Sequence, residues 1–374
     1  MFRFIHSSDL HLGRRFGNMP EDLRGRLQEA RHSIIARLAT HARDNGARVI
    51  LLAGDTFDTE TPTPEIRRQA LAEMNHHSSL TWVLLPGNHD SLQAAQLWSA
   101  LRADAPANIV FASQADVVTI APGVALLPAP CTTRRPGRDL TEWMDSAATP
   151  EGSIRLGLAH GAIQSFSEDE AASDIIAADR AERAGLDYMA LGDWHGLVSV
   201  NERTRYCGTP EPDRFKHDRP GQALLVTIAA RGIKPEICPV DTGSFLWRSV
   251  PLQLLSQDDC IESLATLLPA GQQRRQTLLR IAAMGRTIIA GRTALAAAVA
   301  HAAPEFAYLE LDDRGLKTEC DRDDLNLIDR AGALREAAET LLAESVDENR
   351  AIAERDIARA ALIRLFSYCG QIAS

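Results

Sequence analysis

The chain has 374 residues, 45% of them apolar and 24% charged, which is the composition of an ordinary globular protein. No apolar run approaches the roughly 20 residues that a membrane-spanning helix needs. The net charge of −10 argues against a broad nucleic-acid-coating surface, although bound metal cations and a few arginines can reverse the field at one site.

The first residues and the cysteines bear on location. Met1 runs almost directly into a strand-like segment at 2–6, which leaves no room for a signal peptide, so we expect a cytoplasmic protein. The cysteines show no C-x-x-C spacing and are expected to be reduced, mostly structural thiols. They stand at positions 131, 207, 238, 260, 320 and 369.

The first hundred residues alternate between strands and helices. Leu23, Leu27 and Leu38 recur at helical spacing, and the run 48–53 is apolar throughout, as expected of a strand buried on both faces. In order, we predict a strand at 2–7, a helix at 20–45, a strand at 48–53, a helix at 64–78, a strand at 81–86 and a helix at 92–102.

The following residues are richer in strands. Short β signals lie at 108–111, 115–120 and 124–128, and further strands are predicted at 154–159 and 187–191, with helical spacing around 171–185 and short β segments from 197 to 240. A βαβαβα order followed by a strand-rich half predicts an α/β fold, a two-sheet β-sandwich flanked by helices.

The last third of the chain has a different texture. Residues 252–312 are predicted to form strand, helix, strand, helix and strand, a small α+β domain, and from about Asp324 to Gln371 the chain is predicted to be helical. We therefore expect a catalytic domain at 1–250, an α+β capping domain at 251–312 and a C-terminal helical segment at 313–374.

Polar groups come directly after five of the predicted strands. The carboxyl ends of strands are where open α/β sheets place their catalytic and binding residues. Several carboxylates packed together would repel one another, and two divalent cations would resolve that repulsion. Mixed imidazole and carboxylate ligands suit manganese, iron or zinc, and magnesium less well. The strand ends carry Asp9 and His11, then Asp55 and Asp58, then Asn88, His89 and Asp90, then His160, and finally Asp193 and His195.

The ordered series D-x-H, G-D-x-x-D, G-N-H-D, H-G and G-x-x-H, over about residues 1–250, resembles the calcineurin-like metallophosphoesterases. The SDLHLG stretch at 8–13, the Gly-Thr-Pro at 208–210 and the trailing α+β domain are similar to one branch of that family, the SbcD-type and YhaO-type DNA repair exonucleases.

This resemblance implies a site with two divalent metal ions, with Mn²⁺ expected first, that activate a hydroxide for attack on phosphorus. His89 would stay off the metals and act on the transition state or the leaving oxygen, and Asp90 would orient His89. The implied ligands are Asp9, His11, Asp55 and His195 for one ion, and Asp55, Asn88, His160 and Asp193 for the other.

Two positions depart from the family pattern. Asp193 stands where the family usually has a histidine, so we expect a preference for harder ions such as manganese or magnesium, or else a weakened second site. Asp58 stands where some nuclease relatives carry a histidine near the phosphate, and its role is open.

The resemblance implies a metal-dependent DNA exonuclease that works with an SMC-like, SbcC-type ATPase, and a homodimer. The acidic charge favours an alternative, a phosphodiesterase or phosphatase acting on a small molecule; a third possibility is a scaffold without activity. The apolar stripes of the C-terminal helices either fold back on their own domain or bind a partner.

Several basic and histidine residues have two readings. The cations either contact a phosphate backbone or are ordinary solvated charges. They are Arg14, Arg15, Arg134, Arg135, Arg138, Lys216, His217 and Arg219. His6 is expected to be a core histidine with a backbone partner, and His76 and His77 are expected on the solvated surface because adjacent helical residues point apart.

Overall fold

The computed structural model describes residues 1–163, 175–216, 219–319 and 332–372. The chain forms two units, Met1–Trp247 and Arg248–Ser374, and each is described by itself. The predictions made for His217, for Cys320 and for the stretches at 171–174 and 324–331 lie outside the described residues.

The first unit contains twelve strands and five α-helices among its described residues. The strands are β1 (Phe2–Ser7), β2 (Val49–Leu52), β3 (Thr81–Leu84), β4 (Ile109–Phe111), β5 (Val118–Ala121), β6 (Val124–Ala129), β7 (Ile154–His160), β8 (Tyr188–Gly192), β9 (Leu197–Ser199), β10 (Thr204–Cys207), β11 (Gln222–Ile228) and β12 (Glu236–Asp241). The helices are α1 (Glu21–His32), α2 (Ile34–Asp44), α3 (Pro64–His76), α4 (Ala95–Asp104) and α5 (Arg180–Arg183).

The strands form two six-stranded sheets. The first has the order β12-β11-β1-β2-β3-β4, in which β1 to β4 run parallel and β11 pairs antiparallel with β1. The second has the order β5-β6-β7-β8-β10-β9, with β6, β7, β8 and β10 parallel. Parallel strands bring their carboxyl ends to one edge of a sheet, which is how distant motifs come together here.

Three apolar layers hold the first unit together. The layer between the sheets joins Phe4 and Leu51 of the first sheet to Leu156 and Tyr188 of the second. Helices α2 to α4 cover the outer face of the first sheet, and a smaller cluster covers the outer face of the second. The predicted two-sheet sandwich flanked by helices is confirmed.

Two details differ from the predictions. The single helix expected at 20–45 is two helices that meet at Ser33, whose hydroxyl donates to the carbonyl of Ala30 at 3.0 Å and accepts from Arg37. Local side-chain bonds of this kind compete with the helical ladder. The surface placement of His77 is wrong, because its ring is buried and lies 3.3 Å from Glu73.

The second unit is an α+β arrangement with a three-stranded sheet. Its elements in chain order are β13 (Leu246–Leu254), α6 (Cys260–Leu267), α7 (Gly271–Arg274), β14 (Thr277–Ile288), α8 (Ile289–Ala302), β15 (Tyr308–Glu319), α9 (Ala333–Val346) and α10 (Ile352–Ile372). The sheet order is β13-β14-β15, with β14 parallel to β15.

A crossover helix explains that parallel pair. Because parallel neighbours need a connection of a dozen or more residues, α8 joins β14 to β15 and packs Leu295 and Val299 against the sheet residue Ile281. Ile289 at the start of α8 packs with Ala338 of α9 and Leu362 of α10. The finer division at residue 312 stays a prediction.

No helix within the described ranges is both long enough and apolar enough to cross a bilayer.

Candidate metal centre

The carboxyl ends of five parallel strands deliver the polar motifs to one place. Asp9 and His11 follow β1, Asp55 follows β2, and the Gly87–Asp90 motif follows β3 in the first sheet. In the second sheet His160 is the last residue of β7, and Asp193 and His195 follow β8. The predicted ligands therefore come from both sheets.

The first cluster of ligand atoms contains Asp9, His11, Asp55 and His195. The Nε2 atoms of His11 and His195 lie 3.3 Å apart. His195 Nε2 lies 3.7 Å from Asp9 Oδ1, and His11 Nε2 lies 3.6 Å from Asp55 Oδ2. Two imidazole nitrogens and two carboxylate oxygens at such separations surround a volume suited to one cation.

The second cluster contains Asp55, Asn88, His160 and Asp193. His160 Nε2 lies 3.5 Å from Asp55 Oδ1 and 3.7 Å from Asp193 Oδ1. The amide of Asn88 donates to Asp193 Oδ1 at 2.8 Å. Asp55 thus presents Oδ2 to the first cluster and Oδ1 to the second, which is the arrangement that a carboxylate bridging two ions requires.

Three atoms of the predicted ligands have no hydrogen-bond partner among the described residues. They are Asp9 Oδ1, Asn88 Oδ1 and His160 Nε2, and all three are buried. A buried polar atom without a partner is costly, and most native examples have one. Unmet polar atoms from three different strand ends that face the same centre fit a pair of divalent cations.

The second ring nitrogen of each predicted histidine ligand lies near an oxygen atom. His160 donates from Nδ1 to the carbonyl of Ala53 at 2.8 Å. Asp58 Oδ1 lies 3.2 Å from His11 Nδ1, and Asp213 Oδ1 lies 3.5 Å from His195 Nδ1. The hydrogen bond of His160 fixes its tautomer and directs Nε2 at the centre, as is usual for metal-binding histidines. At His11 and His195 a carboxylate lies on the Nδ1 side of the ring within ion-pair distance.

Backbone strain concentrates at the same positions. Five described non-glycine residues have positive φ, and four of them are predicted ligands: Asp9 (55°), His11 (44°), Asp55 (52°) and Asp193 (97°). The left-handed region is unfavourable for residues with a Cβ atom and persists only where the surroundings enforce it. The fold therefore bends the chain sharply at each strand end to direct these side chains inwards.

The electrostatics of the clusters favour cations. Burial lowers the pKa of His160, but Asp55, Asp9 and Asp193 outweigh it and raise the pKa well above its usual value. Burial raises the pKa of Asp193, and Asp9 and Asp55 add to the rise against the effect of His160. The carboxylates thus create a negative field at this point, which two divalent ions would neutralise.

His89 and Asp90 lie beside the clusters, in different environments. The partly exposed His89 donates from Nδ1 to the carbonyl of Asp58 at 2.9 Å, which leaves its Nε2 for another group. The buried carboxylate of Asp90 accepts from the backbone amides of Gly87 at 2.7 Å and Phe57 at 3.0 Å. Asp90 therefore links two motif loops by hydrogen bonds. The hydrogen bond that orients the His89 ring is accepted by the carbonyl of Asp58, not by Asp90.

Exposed cations line a cavity next to each cluster. A cavity of about 290 Å³ is lined by Asn88, His160 and Asp193 and by three exposed arginines at 134, 135 and 138. A second cavity, of about 260 Å³, is lined by His195 and by the exposed cations Arg214, Lys216 and Arg219. The Lys216 ammonium lies 5.1 Å from the centre of the Trp194 ring.

Asp213 is a site residue that the motifs do not point to. It follows the Gly-Thr-Pro stretch by three residues in a loop before β11, and nothing in its local sequence distinguishes it from a surface aspartate. The structure buries it beside His195, with Arg31 Nη2 at 3.7 Å and Arg14 Nε at 3.1 Å. Burial raises the pKa of Asp213, but His195, Arg31 and Arg214 outweigh it and hold that pKa well below its usual range.

Comparison with known proteins places the chain in a family. The model of the calcineurin-like phosphoesterases matches residues 2–218. No curated protein matches the chain. Among solved structures, the crystal structure of TT1561 of Thermus thermophilus is similar over 64% of this chain and 99% of that chain, with 10% sequence identity and a TM-score of 0.41. Because the family match covers more than half of its residues, the chain belongs to the calcineurin-like phosphoesterase family, whose members hydrolyse phosphoesters with divalent metal ions.

Proposed function

We propose that this protein is a metal-dependent exonuclease that hydrolyses phosphodiester bonds of DNA. The observation that carries the proposal is that exposed cations line two separate cavities, one next to a ligand of the first cluster and one next to ligands of the second. A small phosphoester is held by contacts around one phosphate, whereas a polynucleotide has further phosphates on either side of the scissile bond. Cations in a cavity next to each cluster suit the longer substrate.

The chain's own residues supply positioning and proton handling for the hydrolysis. Divalent ions held by the two clusters would polarise the phosphoryl oxygen and activate a water molecule. His89 lies beside the first cluster, its ring centre 4.9 Å from that of His11. In its imidazolium form, with both ring nitrogens protonated, it can donate the Nε2 proton to a phosphoryl or leaving oxygen. The carbonyl of Asp58 accepts from Nδ1, which orients the ring and leaves Nε2 for the substrate.

The alternative, a phosphodiesterase for a small molecule, is favoured by the net charge of −10. Much of that negative charge need not face a substrate. Asp9, Asp55 and Asp193 lie in the clusters, where two divalent ions would reverse the local field. The cation-lined cavities would then be the surface that a polyanion meets.

The test compares a polymeric with a small substrate. With Mn²⁺ present, the protein is expected to release nucleotides from linear duplex DNA and to hydrolyse bis(p-nitrophenyl) phosphate. The double variant Arg134→Gln/Arg138→Gln should bind DNA more weakly, with the slope of log affinity against log salt reduced by about 2. Its hydrolysis of the small ester should be unchanged.

The matched control is Arg68→Gln/Arg102→Gln. These two arginines belong to α3 and α4 and line neither cavity, so DNA binding and salt dependence should stay as in the unaltered protein. Hydrolysis of the small ester with no action on any DNA would refute the nuclease proposal and support the small-molecule alternative.

We propose Mn²⁺ as the preferred ion. Asp193 adds a carboxylate oxygen where the family usually has an imidazole, and oxygen ligands favour harder ions. Activity titrations with Mn²⁺, Mg²⁺, Zn²⁺ and Fe²⁺ are expected to rank Mn²⁺ first. In an Asp193→His variant the ranking should move towards Zn²⁺; an unchanged ranking would show that Asp193 does not set the preference.

We also propose a cytoplasmic complex with an SMC-like ATPase that docks on the C-terminal helices. On α10, Ile352 and Ile357 are 71% and 69% exposed, which supports a surface that a partner covers. A purified SMC-like ATPase from the same organism should bind the unaltered protein and lose binding to Ile352→Asp/Ile357→Asp. Arg364 on the same helix offers the control Arg364→Gln. Equal binding of the ATPase to the unaltered protein and to both variants would show that this surface is not the docking site.

A further inference from the structure

Five side chains close a ring beside the first metal cluster. The ring, called here the Arg14 ring, consists of Arg14, Asp58, His11, His195 and Asp213. Arg14 Nη1 lies 3.3 Å from Asp58 Oδ1, and Arg14 Nε lies 3.1 Å from Asp213 Oδ2. Asp58 approaches His11 Nδ1 at 3.2 Å, Asp213 approaches His195 Nδ1 at 3.5 Å, and the two Nε2 atoms are 3.3 Å apart.

Arg14 joins the two sides of this ring. Asp58 comes from the loop after β2 and Asp213 from the loop before β11, so the two carboxylates reach the site from separate parts of the chain. Like charges placed near one site repel each other. A guanidinium contacts two carboxylates at once with separate nitrogens, which an ammonium does less well because it is a compact point charge.

Several contacts hold Arg14 in place. It follows Gly13 directly, its amide donates to the carbonyl of His11 at 3.2 Å, and its guanidinium lies 5.8 Å from the centre of the Phe16 ring. Its side chain is 28% exposed, so most of it is packed. The neighbouring Arg15 is exposed and contributes to none of the contacts of the ring.

We propose that Arg14 is a positioning residue for the metal position formed by Asp9, His11 and His195. It holds Asp58 in place and, together with Arg31 and Arg214, holds Asp213. These carboxylates in turn hold the two imidazoles with Nε2 directed at the ion. No member of the ring is a predicted ligand of the other metal position, whose His160 is oriented by the carbonyl of Ala53. This inference rests on metal-dependent hydrolysis and does not depend on DNA being the substrate.

The experiment measures Mn²⁺ binding to the full chain by calorimetry, without substrate. Arg14→Gln is expected to weaken one of two Mn²⁺ sites by about 10- to 100-fold, the usual effect of losing a partner beyond the ligands, and to leave the other unchanged. The Mn²⁺ affinity of Arg14→Lys should lie between those of the unaltered protein and Arg14→Gln, since lysine keeps the charge but cannot contact both carboxylates with separate nitrogens. Arg15→Gln should bind Mn²⁺ as the unaltered protein does.

Two reference variants identify which site is affected. His195→Ala gives the titration expected when the first position is lost, and His160→Ala gives the one expected when the second is lost. Arg14→Gln should resemble His195→Ala. The proposal is overturned if Arg14→Gln keeps two unchanged sites, or if both sites weaken equally.

Folding is checked separately by thermal unfolding of the metal-free proteins. If Arg14→Gln unfolds before metal is added, Arg14→Lys decides: a selective loss of the first site supports the proposal, and unaltered binding overturns it. Because substrate is absent, failure of the DNA exonuclease proposal would leave this result intact.

Discussion

At the scale of single residues, the role of each histidine follows from what its ring nitrogens contact. His11, His160 and His195 each have an oxygen near Nδ1 and direct Nε2 to the ligand clusters. His89 has its Nδ1 on a carbonyl too, yet it lies outside the two clusters of predicted ligands. His6 has both nitrogens occupied, by the Tyr188 hydroxyl at 2.9 Å and the Leu191 carbonyl at 3.2 Å.

For His89, we predict that replacement by alanine lowers turnover and spares metal binding. Loss of a proton donor of this kind costs about 10²- to 10⁴-fold in kcat. The measurement is hydrolysis of bis(p-nitrophenyl) phosphate together with a Mn²⁺ titration. His76→Ala, which removes an exposed imidazole, is the control. A parallel loss of one Mn²⁺ site would show that His89 is a ligand.

For His6, we predict a contribution to acid sensitivity. Burial lowers its pKa to about 3, against the smaller effect of the Leu191 carbonyl, so the folded protein holds this imidazole neutral. The unfolded chain takes up the proton near a pH of about 6.5, so stability is lost as the pH falls from there towards about 3. At pH 5 the loss is about 2 kcal/mol.

The measurement is urea unfolding at pH 7 and pH 5 in the presence of a chelator. His6→Gln removes the titrating group and should lose about 2 kcal/mol less between these pH values than the unaltered protein does. His76→Gln should lose as much as the unaltered protein. Equal pH dependence in all three would mean that His6 is protonated in the fold.

At the scale of elements, the site depends on strand ends that turn abruptly. A Cβ atom at Gly87 would overlap with the carboxylate of Asp55, and one at Gly54, where φ is +89°, would overlap with the ring of His160. These glycines are required by close approach of ligand side chains to backbone. The Gly-Asp and Gly-Asn-His-Asp motifs are thus readable in sequence because chemistry and backbone geometry both restrict the same positions.

For Gly87→Ala, we predict weaker Mn²⁺ binding by about 10-fold or more, because Asp55 must move from its bridging position. Overpacking should also cost about 1–3 kcal/mol of unfolding free energy. Gly25→Ala is the control: no atom lies within 4 Å of its added Cβ, and it belongs to helix α1. That change should stabilise by about 0.5–1 kcal/mol. Unaltered metal binding in Gly87→Ala would contradict the bridging role.

Element types were predictable from local pattern, and their junctions were not. Strands β1, β2 and β7 match the apolar runs at 2–7, 48–53 and 154–159 closely. The break at Ser33 depends on its contacts with Ala30 and Arg37, which periodicity does not encode.

At the scale of the whole molecule, metal binding should act on the first unit. Ligands that bind only the folded state stabilise it by about 2.7 kcal/mol at about 100 times their dissociation constant. All the predicted ligands lie within Met1–Trp247, whereas the second unit has its own apolar core. The two units can therefore respond differently to the same ion.

We predict that Mn²⁺ raises the unfolding temperature of the first unit by roughly 5–10 °C and that a chelator reverses the rise. Scanning calorimetry of the full chain measures this shift and shows whether a second transition stays in place. His11→Ala/His160→Ala, which removes a ligand from each cluster, should abolish the shift. A shift that persists in that variant would place the stabilising ion elsewhere.

The sequence by itself determined the fold class and the set of polar residues at the strand ends. The spacing of apolar residues and the order of the motifs can be read from the sequence alone, without knowledge of which residues are in contact. Only the tertiary structure decided that Asp55 faces both clusters, that Asp90 binds two backbone amides, and that Asp213 lies beside His195. Most of these relations join residues far apart in the chain, and they exist only once two sheets have brought their strand ends together.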